Sequence, residues 1–140
     1  MAITVFYDTT FAYRYDERGE SFPMLQIEVG NPADPRQVVT IDAYLDSGAL
    51  RSLFQGDIPG WIGLDLLNGP VRKYVSTSGA ELIARVHCVD LAHFEIGRFT
   101  LDIGFSTMPI RRNILGRDFF AFLQVGFHEL HSTFHIARRP

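Results

Sequence analysis

Glycine or proline interrupts this chain roughly every ten residues, and the stretches between them are rich in β-branched and aromatic side chains. That punctuation leaves few windows long enough for a helix of ordinary length, so a mainly β fold is expected, with helix as the minority. The best strand signal is VVTIDAYL at 38–45, where Val39, Ile41, Ala43 and Leu45 alternate with Thr40, Asp42 and Tyr44. This is the period of a half-buried strand, and it delivers Asp46 at its end.

Further elements follow by the same logic. Residues 3–7 alternate weakly, and residues 22–29 (FPMLQIEV) form a better strand that ends in the turn-forming Gly30-Asn31-Pro32, with 31–36 as a loop. In the loop-rich region after Phe54, Ile62, Leu64, Leu66 and Leu67 are expected to cover one side of the core through a short helix or turn. Residues 71–75 and 82–86 flank Ser76-Thr77-Ser78-Gly79, which reads as a hairpin with Gly79 supplying a positive φ. Residues 87–94 and 98–105 read as two more strands joined at Glu95-Ile96-Gly97, and 113–116 as a short buried strand. Residues 117–123 (RDFFAFL) suit a helix, with Phe119, Phe122 and Leu123 on one face and Asp118 in the first turn. Residues 125–128 and 132–137 close the chain as a hairpin.

Bulk composition narrows the function classes. With 140 residues and 46% hydrophobic content, residues 1–140 are expected to form one domain with one core. The formal net charge is −3 and the basic residues are scattered pairs such as Arg111-Arg112 and Arg138-Arg139, which argues against a nucleic-acid partner. No basic stretch precedes an apolar core near the N-terminus, and no apolar run approaches the roughly 20 residues of a membrane helix, so the reading is no membrane partner and no secretion. The single Cys88 cannot form an internal disulfide and fits a reducing cytoplasm; a small buried hydrophobe on a strand explains it better than a catalytic thiol.

Two short segments carry chemistry when taken together. Asp46-Ser47-Gly48 follows the strongest strand, so a tight loop can hold a carboxylate rigidly while the glycine admits a close backbone approach and the serine hydroxyl bonds a neighbouring loop. Some 65 residues downstream lies NILGRDFF (113–120): apolar residues, a glycine, then a helix start, with the character to pack beneath that loop. Either segment alone is a weak signal, and a turn-capping aspartate would explain the first without the second. The chain holds one such motif, because Asp8-Thr9-Thr10 lacks the glycine. Asp118, at a helix start, suits a capping or dipole role better than that of a second acid.

In this order the strand, LDSGA (45–49), the hairpin with Gly79 near its tip, and NILGRDFF resemble the retropepsin-like aspartic proteases, especially their bacterial single-domain members, over about residues 22–137. The resemblance implies a closed barrel-like lobe with one short C-terminal helix and a flap hairpin, working as a homodimer on a peptide or protein substrate without a cofactor or metal. It implies catalytic roles for Asp46, Ser47 and Gly48, substrate contacts for Ala49, Thr77, Ser78 and Gly79, and structural support from Leu115, Gly116 and Arg117. The missing second acid would then be Asp46 of the other copy, since a two-fold interface apposes the same patch from each subunit. Such a carboxylate pair retains one proton and titrates as a unit. Ala49 stands where a hydroxyl residue could donate to the carboxylate, so activity is expected to extend toward mildly acidic or neutral pH. The chain departs from viral relatives in its single flap glycine and in Leu50, where an acid would pair with Arg117. Trp61 and the phenylalanines at 119, 120 and 122 are read as core or dimer contacts.

Two other function classes compete. A lobe that keeps the fold and only binds peptides or a partner protein would show the same elements. A metalloprotein is suggested by HELHSTFH, with His128, His131 and His135, but on a continuous strand His128 would point away from the other two, which disfavours metal.

Overall fold

The computed structural model describes residues 1–138. Residues 1–7 carry no strand, contrary to the weak alternation at 3–7, and the first strand, β1 (Thr9–Ala12), begins just after it. β2 (Arg14–Tyr15) and β3 (Ser21–Phe22) form a small hairpin. It is fixed to the rest of the molecule by Arg14 on Asp42 at 2.7 Å and by Arg112, which reaches Asp16 and stacks on the rings of Phe22 and Tyr44.

β4 (Met24–Asn31) and β5 (Asp34–Leu45) run antiparallel from Met24 opposite Tyr44 to Gly30 opposite Val38. The loop expected at 31–36 shrinks to a two-residue turn, because the Asn31 side chain accepts the Ala33 N–H at 2.9 Å and the Asp34 carboxylate accepts the Arg36 N–H at 3.1 Å. β7 (Val71–Val75) and β8 (Glu81–His93) form the expected hairpin, but β8 continues unbroken where two strands were expected. The apparent break is a change of phase: Ala84 is buried on one side of β8, while Val89 and Leu91 are buried on the other. β9 (Gly97–Ser106) pairs with β8 along most of its length, from Ala84 opposite Ser106 to His93 opposite Gly97.

β6 (Leu53–Phe54) and β10 (Asn113–Leu115) complete a seven-stranded sheet in the order β4-β5-β10-β6-β9-β8-β7. A further pairing of β4 with β8, at Glu28–Ala92 through Gly30–Asp90, curls this sheet nearly into a closed barrel. Leu25, Ile27, Val29, Phe54, Phe105 and Leu115 fill its interior. A one-turn helix, α1 (Ile58–Trp61), and a 3-10 turn at Leu66–Asn68 cover one side. Ile62 is fully buried there and Leu64 and Leu66 pack against the core as expected, but Leu67 and Trp61 point outward.

The helix expected over 117–123 is a single turn, α2 (Arg117–Phe120). Leu123 instead opens β11 (Leu123–His128), which pairs with β12 (Thr133–Arg138), and the ladder bonds outcompete a second helical turn. Phe119 is buried, Phe120 partly so, and Phe122 is partly exposed. β12 also pairs with β1, giving a three-stranded sheet in the order β1-β12-β11.

Candidate active site

The strand carrying Asp46 lies inside the sheet, with β4 on one side and β10 running parallel on the other, and it ends at the buried Leu45. The chain then turns sharply. The Asp46 N–H donates to the Leu115 carbonyl at 2.9 Å, the Ala49 N–H to the Asp46 carbonyl at 3.2 Å, and the Arg117 N–H to the Ala49 carbonyl at 2.9 Å. The Gly48 N–H donates to Asp46 Oδ1 at 2.8 Å, whereas Oδ2 has no protein partner among the described residues. Asp46, Ser47 and Gly48 are exposed and Ala49 is half-buried. A rigid loop therefore holds one carboxylate at the surface with an oxygen open to solvent or ligand.

Leu115, Gly116 and Arg117 lie directly beneath this loop. Leu115 is fully buried and contributes the carbonyl that fixes Asp46. A Cβ on Gly116 would stand 2.7 Å from the Ala49 carbonyl oxygen, so the two segments can approach this closely only with glycine there. Arg117 acts through its backbone; its guanidinium makes no ion pair among the described residues, in keeping with leucine at position 50.

Sequence reasoning missed the residue that joins these segments. Ser52 is fully buried, and its hydroxyl accepts the Gly116 N–H at 2.9 Å while donating to Asp118 Oδ1 at 2.6 Å. Its N–H also reaches the Asp118 carboxylate at 3.0 Å. These are charge-assisted bonds between segments 66 residues apart. The expected helix-start role of Asp118 survives only as a 2.9 Å bond from the Phe119 N–H. A serine six positions after Asp46 carries no local signal, because its partner lies elsewhere in the chain.

Thr77, Ser78 and Gly79 form the exposed tip of the β7–β8 hairpin. The turn closes by bonds from the Ser76 N–H to the Ala80 carbonyl and from the Gly79 N–H to the Ser76 carbonyl, both 2.9 Å, with Gly79 at φ +85°. No hydrogen bond joins these three residues to the Asp46 loop among the described residues. The link runs through Tyr74, on the outward strand of the hairpin. Its phenol donates to the Ser52 carbonyl at 2.6 Å and rests against Gly104, where a Cβ would collide with it. Burial pushes this phenol's pKa up, partly offset by the neighbouring Arg72.

The other candidates lie apart from this site. Cys88 is exposed on β8 rather than buried, because it falls on the outer face there, and partial desolvation with Asp102 and Asp90 nearby pushes its thiol pKa up. The histidines overturn the strand-parity expectation. A 3-10 turn at Glu129–His131, with Ser132 left-handed at φ 50°, separates the strands and resets the alternation. The His128 ring consequently lies 4.4 Å from that of His131 and 6.3 Å from that of His135, centroid to centroid. His135 Nδ1 is engaged by the Thr10 hydroxyl at 2.8 Å, and no group of three or more His, Cys, Asp or Glu among the described residues is arranged to hold a metal ion. No helix among them is long and apolar enough to cross a membrane.

Comparison with solved structures shows a retropepsin-like fold. A retropepsin-like aspartic protease from Rickettsia conorii superposes with a TM-score of 0.66 at 11% identity, over 95% of this chain and 96% of that one. EIAV protease in an inhibitor complex matches with a TM-score of 0.49 at 20% identity, over 73% of this chain and 88% of that one. No family model and no curated protein matches the sequence.

Proposed function

We propose that this protein is an aspartic endopeptidase acting as a homodimer, in which Asp46 of each subunit supplies one carboxylate of a shared pair. The observation that carries the reading is the Asp46 loop itself: an exposed carboxylate, one per chain, locked by Leu115, Gly116 and Arg117 within a retropepsin-like fold. A single carboxylate so presented is half of an acid–base pair, and a two-fold axis beside it supplies the other half.

The chemistry then needs neither metal nor covalent intermediate. The ionised Asp46 takes a proton from a water held between the two carboxylates as the water oxygen attacks the scissile carbonyl carbon. The protonated partner carboxyl gives its proton to the carbonyl oxygen, leaving a neutral gem-diol. The first Asp46 then passes its proton to the amide nitrogen while a diol hydroxyl gives its proton to the partner carboxylate, so the C–N bond breaks to an amine and a carboxylic acid and the pair is again in its single-proton state. Ser47 hydrogen-bonds across the paired loops, and Gly48 and Ala49 present backbone groups to the substrate. Thr77, Ser78 and Gly79 form a flap that closes over an extended peptide, excluding water and adding main-chain hydrogen bonds. A soluble cytoplasmic location suits the lone free Cys88.

Asp46→Asn tests this directly. The variant should sediment as the same dimer as the wild type and cleave neither a denatured protein nor a peptide library. Undiminished cleavage by the variant, or a wild type that is strictly monomeric while active, would refute the mechanism. Binding of a peptide library by both proteins with cleavage by neither would instead identify a peptide-binding lobe.

A further inference from the structure

The Asp46 loop and the β7–β8 hairpin are separate in sequence, yet one buried node joins them. Ser52 uses every polar group in that node: its carbonyl accepts from Tyr74, its N–H and hydroxyl donate to Asp118, and its hydroxyl oxygen accepts from Gly116. Gly116 follows the residue whose carbonyl fixes the Asp46 N–H. Tyr74 sits two positions before Ser76, where the hairpin turn begins. Gly104 has no side chain at the spot where the Tyr74 phenol lies, so β9, one strand beyond β8, leaves a socket for it. Arg72 holds the same oxygen from the side at 3.3 Å.

From this arrangement we infer that Tyr74 is a positioning residue: its phenol latches the hairpin to the Ser52–Asp118 node and so sets where the Thr77–Gly79 tip stands relative to Asp46. β7 is the outermost strand of its sheet and pairs with β8 alone, so β8 by itself does not fix its sideways position. The latch supplies the missing restraint at a buried acceptor, where a lost partner is not replaced by water. The inference rests on the protease reading only for its kinetic consequence; the mechanical consequence stands apart from it.

Tyr74→Phe removes one hydroxyl and keeps the ring. Gly104→Ala keeps the hydroxyl and fills its socket, providing a second route to the same displacement. By hydrogen exchange on the intact protein, both variants should exchange the hydrogen-bonded amides within residues 71–80 about tenfold faster than wild type, the factor expected for one hydrogen bond to a buried carbonyl, while Asp46→Asn exchanges like wild type. In peptide cleavage, Tyr74→Phe should raise KM about tenfold with kcat within about twofold, because the tip's contacts with bound peptide loosen while the carboxylate pair is unaltered. A purely structural role would lower the melting temperature and the titre of active sites and leave KM alone. Wild-type exchange across 71–80 in Tyr74→Phe overturns the latch, and an unchanged KM in an active enzyme overturns its role in placing the tip. If the wild type cleaves nothing, the protease reading falls and the exchange experiment still decides on Tyr74.

Discussion

Replacing Gly116 with alanine measures how tightly the two segments of the site are pressed together. Gly116 has φ −104° and ψ −164°, extended backbone that any residue adopts, so the cost of a side chain there is spatial. The new Cβ would lie 2.7 Å from the Ala49 carbonyl oxygen and 3.1 Å from the Arg51 carbonyl carbon. Carbon–oxygen contacts relax to about 3.3 Å or more, so the Ala49 oxygen must retreat by roughly half an ångström. Both obstacles are main chain, and the Ala49 oxygen also accepts the 2.9 Å bond from the Arg117 N–H, so no flexible side chain can absorb the shift. Overpacking of this kind costs about 1–3 kcal/mol, and the rigid surroundings place Gly116→Ala in the upper half, at about 2–3 kcal/mol. For a chain of this length that is a fall in melting temperature of roughly 6–12 °C. Gly79→Ala is the control: nothing lies within 4 Å of its Cβ, but φ is +85°, so its cost is conformational and near 1 kcal/mol. Urea denaturation and thermal melts of both variants check the ranking. A Gly116→Ala protein within 0.5 kcal/mol of wild type, or one less perturbed than Gly79→Ala, would refute the reasoning from close approach.

Asp118→Ala strands the Ser52 N–H and hydroxyl in a buried setting and should cost about 2–3 kcal/mol in urea denaturation, with Asp118→Asn costing less because its amide oxygen still accepts. Stability should also fall in alkali. Burial chiefly, with hydrogen bonding and charge from Glu129, pushes the Tyr13 pKa from 10.0 up to about 12. The folded phenol keeps its proton where the unfolded one loses it, so its contribution is fully present below pH 10 and is lost as pH rises toward about 12. A pH series of urea midpoints should show this slope in the wild type and a shallower one in Tyr13→Phe.

The strands that position the site were legible because their signals are local. Val39, Ile41, Ala43 and Leu45 announce a strand by period alone, and Asn113 to Leu115 announce a short one by their apolar content and the following glycine. Gly79 was legible as a turn residue for the same reason. What stayed hidden depends on partners distant in sequence. Residues 31–36 looked like a loop because Asn and Pro favour turns, and the ladder between β4 and β5 shortened it. β8 looked like two strands because different layers bury its two ends. His128 and His135 share a face only because the turn between them resets the alternation. Ser52 joins Asp118, Gly116 and Tyr74, and nothing within six residues of it hints at any of them.

The pairing of β1 with β12 also bears on how the chain reaches its fold. Thr10 meets His135 across 125 residues, and the Asp8 N–H and carboxylate bond Ile136 and Arg138. Contacts of such separation carry the largest loop-closure cost and form late. During synthesis β1 emerges well before β12, so it stays an unpaired strand edge until that partner exists. The last sheet to close is thus the three-stranded one, and the interval before it closes is when this fold is most open to aggregation.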